Sequence, residues 1–172
     1  MPISEFLLPE FDAEMKRTRT TLERVPAGHK EFAPHPKSMP LGKLAPHVAQ
    51  LVAFGETILS TPGIDISQRR SGQAPPETAA QLVGAMEEGA AKVRGLLQST
   101  SDETWKQPWK LSMGDTILFQ GSRFQGYRAM FLNHLVHHRA QLGVYLRLLD
   151  IPVPSIYGPS ADEPVVPAAP GK

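Results

Sequence analysis

The chain has 172 residues, of which 41% are hydrophobic and 20% are charged, a composition typical of a globular protein. It contains no cysteine, which excludes disulfides, cysteine-bound zinc and thiol nucleophiles supplied by the protein. The net charge of +1 gives no electrostatic reason to expect nucleic acid or an anionic membrane as a partner. No apolar run approaches the ~20 residues that span a bilayer, and the first residues lack the basic region of a signal peptide. We therefore expect a cytoplasmic protein.

Hydrophobic residues recurring at helical spacing predict four long helices, and no strand is predicted. Their expected ranges are 9–24, 40–59, 76–98 and 123–149. Ser38 and Ser122 are the expected N-caps of the second and fourth helices. Pro46 lies inside the second pattern, where it should kink the helix or mark its true start.

The predicted fold class is all-α, a four-helix bundle joined by long crossover loops. Residues 1–160 are expected to form a single domain and residues 161–172 a flexible, proline-rich tail. Within the loop expected at 99–121, Trp105 and Trp109 are interpreted as packing residues. Arg139 in the last helix is expected to form a salt bridge or a helix-end contact.

The last predicted helix carries the most informative chemistry, because His134 and His138 are four residues apart and share one helical face. Both would replace core residues, and burying two imidazoles without partners is unfavourable. A transition metal would satisfy both rings at once. The third ligand should come from another helix, and His47 is the best placed candidate. The pair of His134 with His137, three residues apart, is the competing possibility.

Two segments around these histidines resemble the DinB/YfiT-like family. Residues 133–142 read NHLVHHRAQL and resemble the family signature H-x-x-x-H-R-G-Q, while residues 41–49 read LGKLAPHVA and resemble its second-helix segment. The resemblance implies a DinB-like four-helix bundle, often a homodimer, that binds nickel or zinc through the residues matching His47, His134 and His138. Ala140 stands where the family has glycine, and Pro46 precedes the first ligand.

An open metal site would take a small-molecule substrate, and three reactions or roles are considered. Some members of the family are thiol-dependent S-transferases, which makes a metal-dependent transferase with a low-molecular-weight thiol the favoured interpretation. A metal-dependent hydrolase is the first alternative. A non-catalytic, metal-stabilised stress or interaction protein is the second. Tyr145, on the same face as the histidines, is a candidate catalytic residue, and Gln141 is a candidate for orienting a ligand imidazole.

Overall fold

The structure is a computed structural model and describes residues 1–68 and 74–164. In these residues, four long helices surround the core. The first three are α1 (Ile3–Leu22), α2 (Leu41–Ser60) and α3 (Ala79–Ser99). The fourth is continuous and runs through α5 (Arg123–Gly126), a π-helical segment (Tyr127–Leu132) and α6 (Asn133–Leu148). α2 packs against α3 and α6, and α1 packs against α3.

The all-α prediction is wrong in leaving out a small sheet beside the helices. Its strands are β1 (Gly63–Asp65), β2 (Pro108–Met113) and β3 (Thr116–Ser122), in the order β1-β2-β3. β1 runs parallel to β2, and β2 runs antiparallel to β3. A 3₁₀ turn follows β1 at Ile66–Gln68, and a short helix, α4, precedes β2 at Asp102–Lys106.

The hairpin between β2 and β3 closes where the sequence permits a tight turn. Gly114 has a φ of +57°, in the left-handed region that glycine adopts without strain. Trp109 and Leu111 alternate with exposed neighbours along β2 and face the core. Trp109 packs against Phe54 and Phe119, with ring centroids 6.1 Å and 6.0 Å away, and thereby joins the sheet to α2.

Of the two predicted N-caps, Ser122 is confirmed for the fourth long helix and Ser38 is wrong for α2. Ser122 accepts a hydrogen bond from the Gln125 amide and forms a capping box with it, as predicted. Ser38 does not cap α2, whose N-cap is Pro40. The loop backbone satisfies the first amides of α2 instead: Leu41 donates to the carbonyl of Phe32 and Gly42 to that of Lys30, both at 2.8 Å. Because α2 begins at Leu41, Pro46 does not mark its start.

The C-terminal segment returns along α1 and α6. Asp162 accepts hydrogen bonds from Arg147 and from the Val153 amide, and Glu163 pairs with Arg24. These contacts hold residues 162 and 163, which belong to the predicted tail. Residues 165–172, the remainder of that tail, lie outside the described residues. Among the described helices, none has the length and hydropathy required to cross a membrane.

Helices α2 and α3 are in close contact at Gly89. A Cβ atom at this position would lie 2.9 Å from the backbone nitrogen of Ala53, so the two helices would have to separate. We expect Gly89→Ala to destabilise the protein by about 1–2 kcal/mol in urea titrations, because overpacking exceeds the gain in helix propensity. Gly84→Ala, in the same helix with nothing within 4 Å, should be stabilising by up to ~1 kcal/mol. Equal effects at the two sites would contradict this reasoning.

Candidate metal centre

Three histidines from two helices converge at the surface of α2 and α6. One ring nitrogen from each of His47, His134 and His138 lies within 4.8 Å of the other two, and all three side chains are half-buried. The ring centroid of His47 is 5.3 Å from that of His134 and 4.5 Å from that of His138. The two α6 histidines are one helical turn apart and share a face, while His47 comes from the facing helix α2. The structure therefore brings together the three residues that the sequence singled out.

The hydrogen bonds around the two α6 histidines leave their Nε2 atoms facing each other. Nδ1 of His138 lies 2.8 Å from Oε1 of Gln141. Since an amide oxygen can only accept, this contact is a hydrogen bond in the tautomer that carries its proton on Nδ1 and a lone pair on Nε2. The Nε2 atoms of His134 and His138 are 2.8 Å apart. Two lone pairs at this separation need a proton or a cation between them. The nearby ring of His47 offers a third nitrogen to such a cation.

Burial favours the neutral form of both α6 histidines. Desolvation lowers the pKa of His134 below its ordinary value, against the opposing effect of a hydrogen bond with the backbone of Met130. Desolvation also lowers the pKa of His138, together with the neighbouring rings of His134 and His137, and the contact with Gln141 opposes it. Neutral imidazole is the form that binds a metal ion. The donor set, the protonation state and the outer hydrogen bond thus fit a divalent metal.

The remaining histidines are not part of the cluster. His137 is exposed, and although its ring centroid lies 4.9 Å from that of His138, it is not one of the three grouped histidines. His47 therefore lies beside the pair of His134 with His138, and the competing pair of His134 with His137 does not form the group. His29 and His35 are exposed in the loop between α1 and α2. Within the described residues, no carboxylate joins the three histidines.

Two cavities of different character open beside the cluster. The first, of about 230 Å³, has His47 and His134 in its wall and is otherwise lined mainly by apolar side chains. We call it the apolar cavity, and its other lining residues are Gln50, Leu51, Phe54, Ile66, Leu111 and Met130. The second, of about 510 Å³, has His138 in its wall and is called the polar cavity. It is also lined by Pro34, Lys37, Ser38, Met39, Gln141, Val144 and Tyr145.

Gln141 and Tyr145 both line the polar cavity. Gln141 contacts His138 as described, which is the geometry expected of a residue that orients a ligand. The hydroxyl of Tyr145 donates to the carbonyl of Met39 at 2.8 Å, and its ring packs edge-on against Phe32. Tyr145 therefore fastens the loop between α1 and α2 over this end of α6.

Sequence reasoning missed two kinds of residue at the site. Leu111 and Ile66 line the apolar cavity from the sheet and from the turn after β1, and neither element was predicted. The alternation of Trp109, Lys110 and Leu111 before a glycine turn was the available signal for β2. Met130 lines the cavity from the π-helical segment, whose wider turn has no recognisable sequence pattern.

A buried ion pair supports α6 on a different face from His134 and His138. The guanidinium of Arg139 lies 2.6 Å from the carboxylate of Glu14 and donates to Thr18 and to the hydroxyl of Tyr157. Tyr157 in turn donates to Glu14 at 2.9 Å. The side chains of Arg139 and Glu14 are 2% and 6% exposed. The predicted salt bridge of Arg139 is thus confirmed, as a buried network between α1, α6 and the C-terminal segment.

Trp105 and Trp109 are packing residues, as predicted. Trp105 is fully buried, lies against Tyr127 with a centroid separation of 5.3 Å, and donates its indole N–H to Ser4. Trp109 is 1% exposed between α2 and the sheet. Neither ring lines the two cavities beside the histidines.

Comparison with known proteins gives matches by structure alone. No protein-family model and no curated protein matches the sequence. A DinB-like protein from Bacillus subtilis, YjoA, superposes with a TM-score of 0.66 at 14% identity, over 92% of this chain and 98% of that one. A DinB-like protein from Bacillus cereus ATCC 10987 superposes with a TM-score of 0.65 at 18% identity, over 91% of this chain and 98% of that one.

The two superpositions extend over nearly the whole chain, including the helices that carry His47, His134 and His138. At these identities the likeness concerns architecture and leaves reaction and substrate to be argued from the site. The expected resemblance is confirmed in its coarser form, without the all-α class: this chain has the fold of the DinB-like proteins.

Proposed function

We propose that this chain is a divalent-metal-binding protein and that His47, His134 and His138 are its ligands. The observation that carries the proposal is the 2.8 Å separation of the Nε2 atoms of His134 and His138, with the ring of His47 closing the group. Imidazole is a preferred ligand of nickel and zinc. Copper(I) prefers sulfur ligands, and magnesium and calcium prefer oxygen ligands.

We further propose that the site is catalytic and serves a metal-dependent, thiol-using S-transferase. A bound divalent ion would lower the pKa of a coordinated thiol, so that its sulfur is an active nucleophile near neutral pH. Three protein ligands leave positions open for substrate, unlike a closed structural site. The polar cavity supports a hydrophilic thiol cosubstrate, because Lys37 and Ser38 line it together with His138 and can pair with carboxylate or hydroxyl groups.

Gln141 has the position of a residue that orients the ligand His138. Replacing it by leucine removes the acceptor of the His138 Nδ1 proton while leaving a side chain of similar size. We expect Gln141→Leu to weaken metal binding by roughly 10- to 100-fold, the usual effect of losing an outer-shell partner. Competition with a chromophoric chelator would measure the affinity. An unchanged affinity would show that Gln141 has no orienting role.

The test of the proposed function begins with protein purified without a histidine tag. Elemental analysis should find about one equivalent of nickel or zinc in the protein as isolated. The metal-free and reloaded forms are then incubated with a range of biological thiols and electrophilic acceptors. Metal-dependent consumption of thiol supports the transferase. Metal-dependent hydrolysis without a thiol would replace it with the hydrolase, and a loaded protein inactive in both assays would favour the non-catalytic role.

The homodimer implied by the family resemblance stays a prediction, as does the cytoplasmic location. Analytical ultracentrifugation of the metal-loaded protein would determine the oligomeric state. A sedimenting mass near twice the 18.8 kDa of one chain would support the dimer. A mass of one chain across the micromolar range would contradict it.

A further inference from the structure

The walls of the apolar cavity differ sharply from those of the polar one. Five of its lining side chains are hydrocarbon, aromatic or thioether groups: Leu51, Phe54, Ile66, Leu111 and Met130. The amide of Gln50 is exposed at the rim, and the imidazoles of His47 and His134 complete the lining. Among the described lining residues, none carries a formal charge at neutral pH.

We infer that this cavity binds a small, uncharged, predominantly apolar molecule and presents it beside His47 and His134. The inference rests on the proposed function, since it assigns the acceptor substrate of the same centre. In this arrangement the hydrophilic thiol occupies the polar cavity, beside His138, and the apolar acceptor occupies the apolar cavity, beside His47 and His134. The three histidines contribute to the walls of both cavities, His47 and His134 to the apolar one and His138 to the polar one.

Desolvation disfavours any charged ligand in the apolar cavity of the metal-free protein, and a cationic ligand in the metal-loaded protein as well. An ionic group that enters it gives up water and finds no countercharge among the described lining residues. An apolar body, by contrast, buries its hydrocarbon surface against Leu111 and Phe54, which line the cavity. A single hydrogen-bonding atom on the ligand can be satisfied by the amide of Gln50 at the rim.

The volume limits the size of the ligand. A dry apolar cavity of ~150 Å³ accommodates benzene, whereas drug-sized ligands occupy pockets of roughly 300–1,000 Å³. At about 230 Å³, the apolar cavity lies between these and suits a single substituted ring or a small bicyclic ring. A low-molecular-weight thiol made of several polar units would fit the larger, polar cavity instead.

Three probes of matched size test the inference directly. Indole is neutral, benzoate is anionic and benzamidinium is cationic, and all three have the same number of heavy atoms. Each is titrated into zinc-loaded and chelator-treated protein while amide chemical shifts are followed by NMR. We expect indole to bind at least tenfold more tightly than benzamidinium in both forms, and than benzoate in the metal-free form. The shifted amides should be those of Ile66, Leu111 and Phe54.

Two variants in the cavity wall and one control outside it locate the site. Ile66→Trp places a large ring at the half-buried edge of the cavity and should reduce indole affinity at least tenfold. Ile117→Trp, on the exposed face of β3 and outside the cavity, is the matched control and should leave indole affinity unchanged. Leu111→Ala enlarges the cavity and should shift preference from indole towards the larger 2-naphthol.

Metal content, measured on every sample, separates this inference from the proposed function. Indole binding that survives metal removal supports the cavity even if no metal is ever taken up. Full metal loading with equal affinities for the three probes overturns the cavity alone. Shifts that appear only at residues away from Ile66 and Leu111, or an unaltered affinity in Ile66→Trp, also overturn it.

Discussion

Replacing His138 by alanine should reduce the bound divalent metal from about one equivalent to near zero. The change removes one of three nitrogens, and it removes the one whose tautomer is fixed by Gln141. The two remaining imidazoles, His47 and His134, come from different helices and leave the ion with insufficient coordination. Elemental analysis of protein purified without a histidine tag is the measurement, and circular dichroism confirms that the helices are retained.

His137→Ala is the matched control for that experiment. His137 neighbours His138 in the chain and has the same side chain, but it is exposed and outside the cluster. The variant should keep its full equivalent of metal. If His137→Ala lost the ion and His138→Ala retained it, the roles of the two residues would be exchanged. If both retained it, the three-histidine assignment would be wrong.

Part of the histidine cluster could be predicted from the sequence, because the spacing of two residues along a helix determines whether their side chains share a face. Residues four apart on a continuous helix must share a face, so His134 and His138 required no tertiary information. The choice of His47 rested on its place in a second amphipathic pattern and on the family resemblance. The distance between α2 and α6, which decides whether the rings meet, is a property of packing and needed the structure.

The sheet was missed for a different physical reason. β1 has three residues and pairs in parallel with β2, which follows more than 40 residues later. Such a strand is stabilised by its partner and has no local pattern of its own. The hairpin of β2 and β3 did offer a local signal, but its outer strand exposes Ile117 and Leu118 instead of alternating cleanly.

Glu14 illustrates a third limit of sequence reasoning. It lies on the apolar face of α1 between Phe11 and Thr18, a position where a carboxylate is unfavourable unless it is paired. Its partner, Arg139, was expected to form a salt bridge, but the pairing joins residues 125 positions apart. Helical spacing identifies the face of α1 on which Glu14 lies. The residue that packs against it from another helix depends on how the helices are arranged in the fold.

We expect Arg139→Met to destabilise the protein by about 3–5 kcal/mol, because it leaves the carboxylate of Glu14 buried without its main countercharge. Arg17, 2.8 Å from the other carboxylate oxygen and 31% exposed, compensates in part and favours the lower end of that range. The free energy of unfolding from urea titration is the measurement. Arg94→Met is the matched control, since its pair with Asp12 also joins α1 to another helix but is 46% exposed on both sides. It should change stability by only ~0–1 kcal/mol.

A double variant separates an electrostatic cause from a loss of packing. If the unpaired carboxylate is what destabilises Arg139→Met, adding Glu14→Gln should make the double variant more stable than the sum of the two single effects, by about 1–3 kcal/mol. Strict additivity would contradict the buried pair as the cause. Because Arg139 lies on a different face of α6 from His134 and His138, the folded Arg139→Met variant should still bind one equivalent of metal. The network of Arg139, Glu14 and Tyr157 therefore anchors one face of α6, while His134 and His138 on another face are available to bind the metal ion.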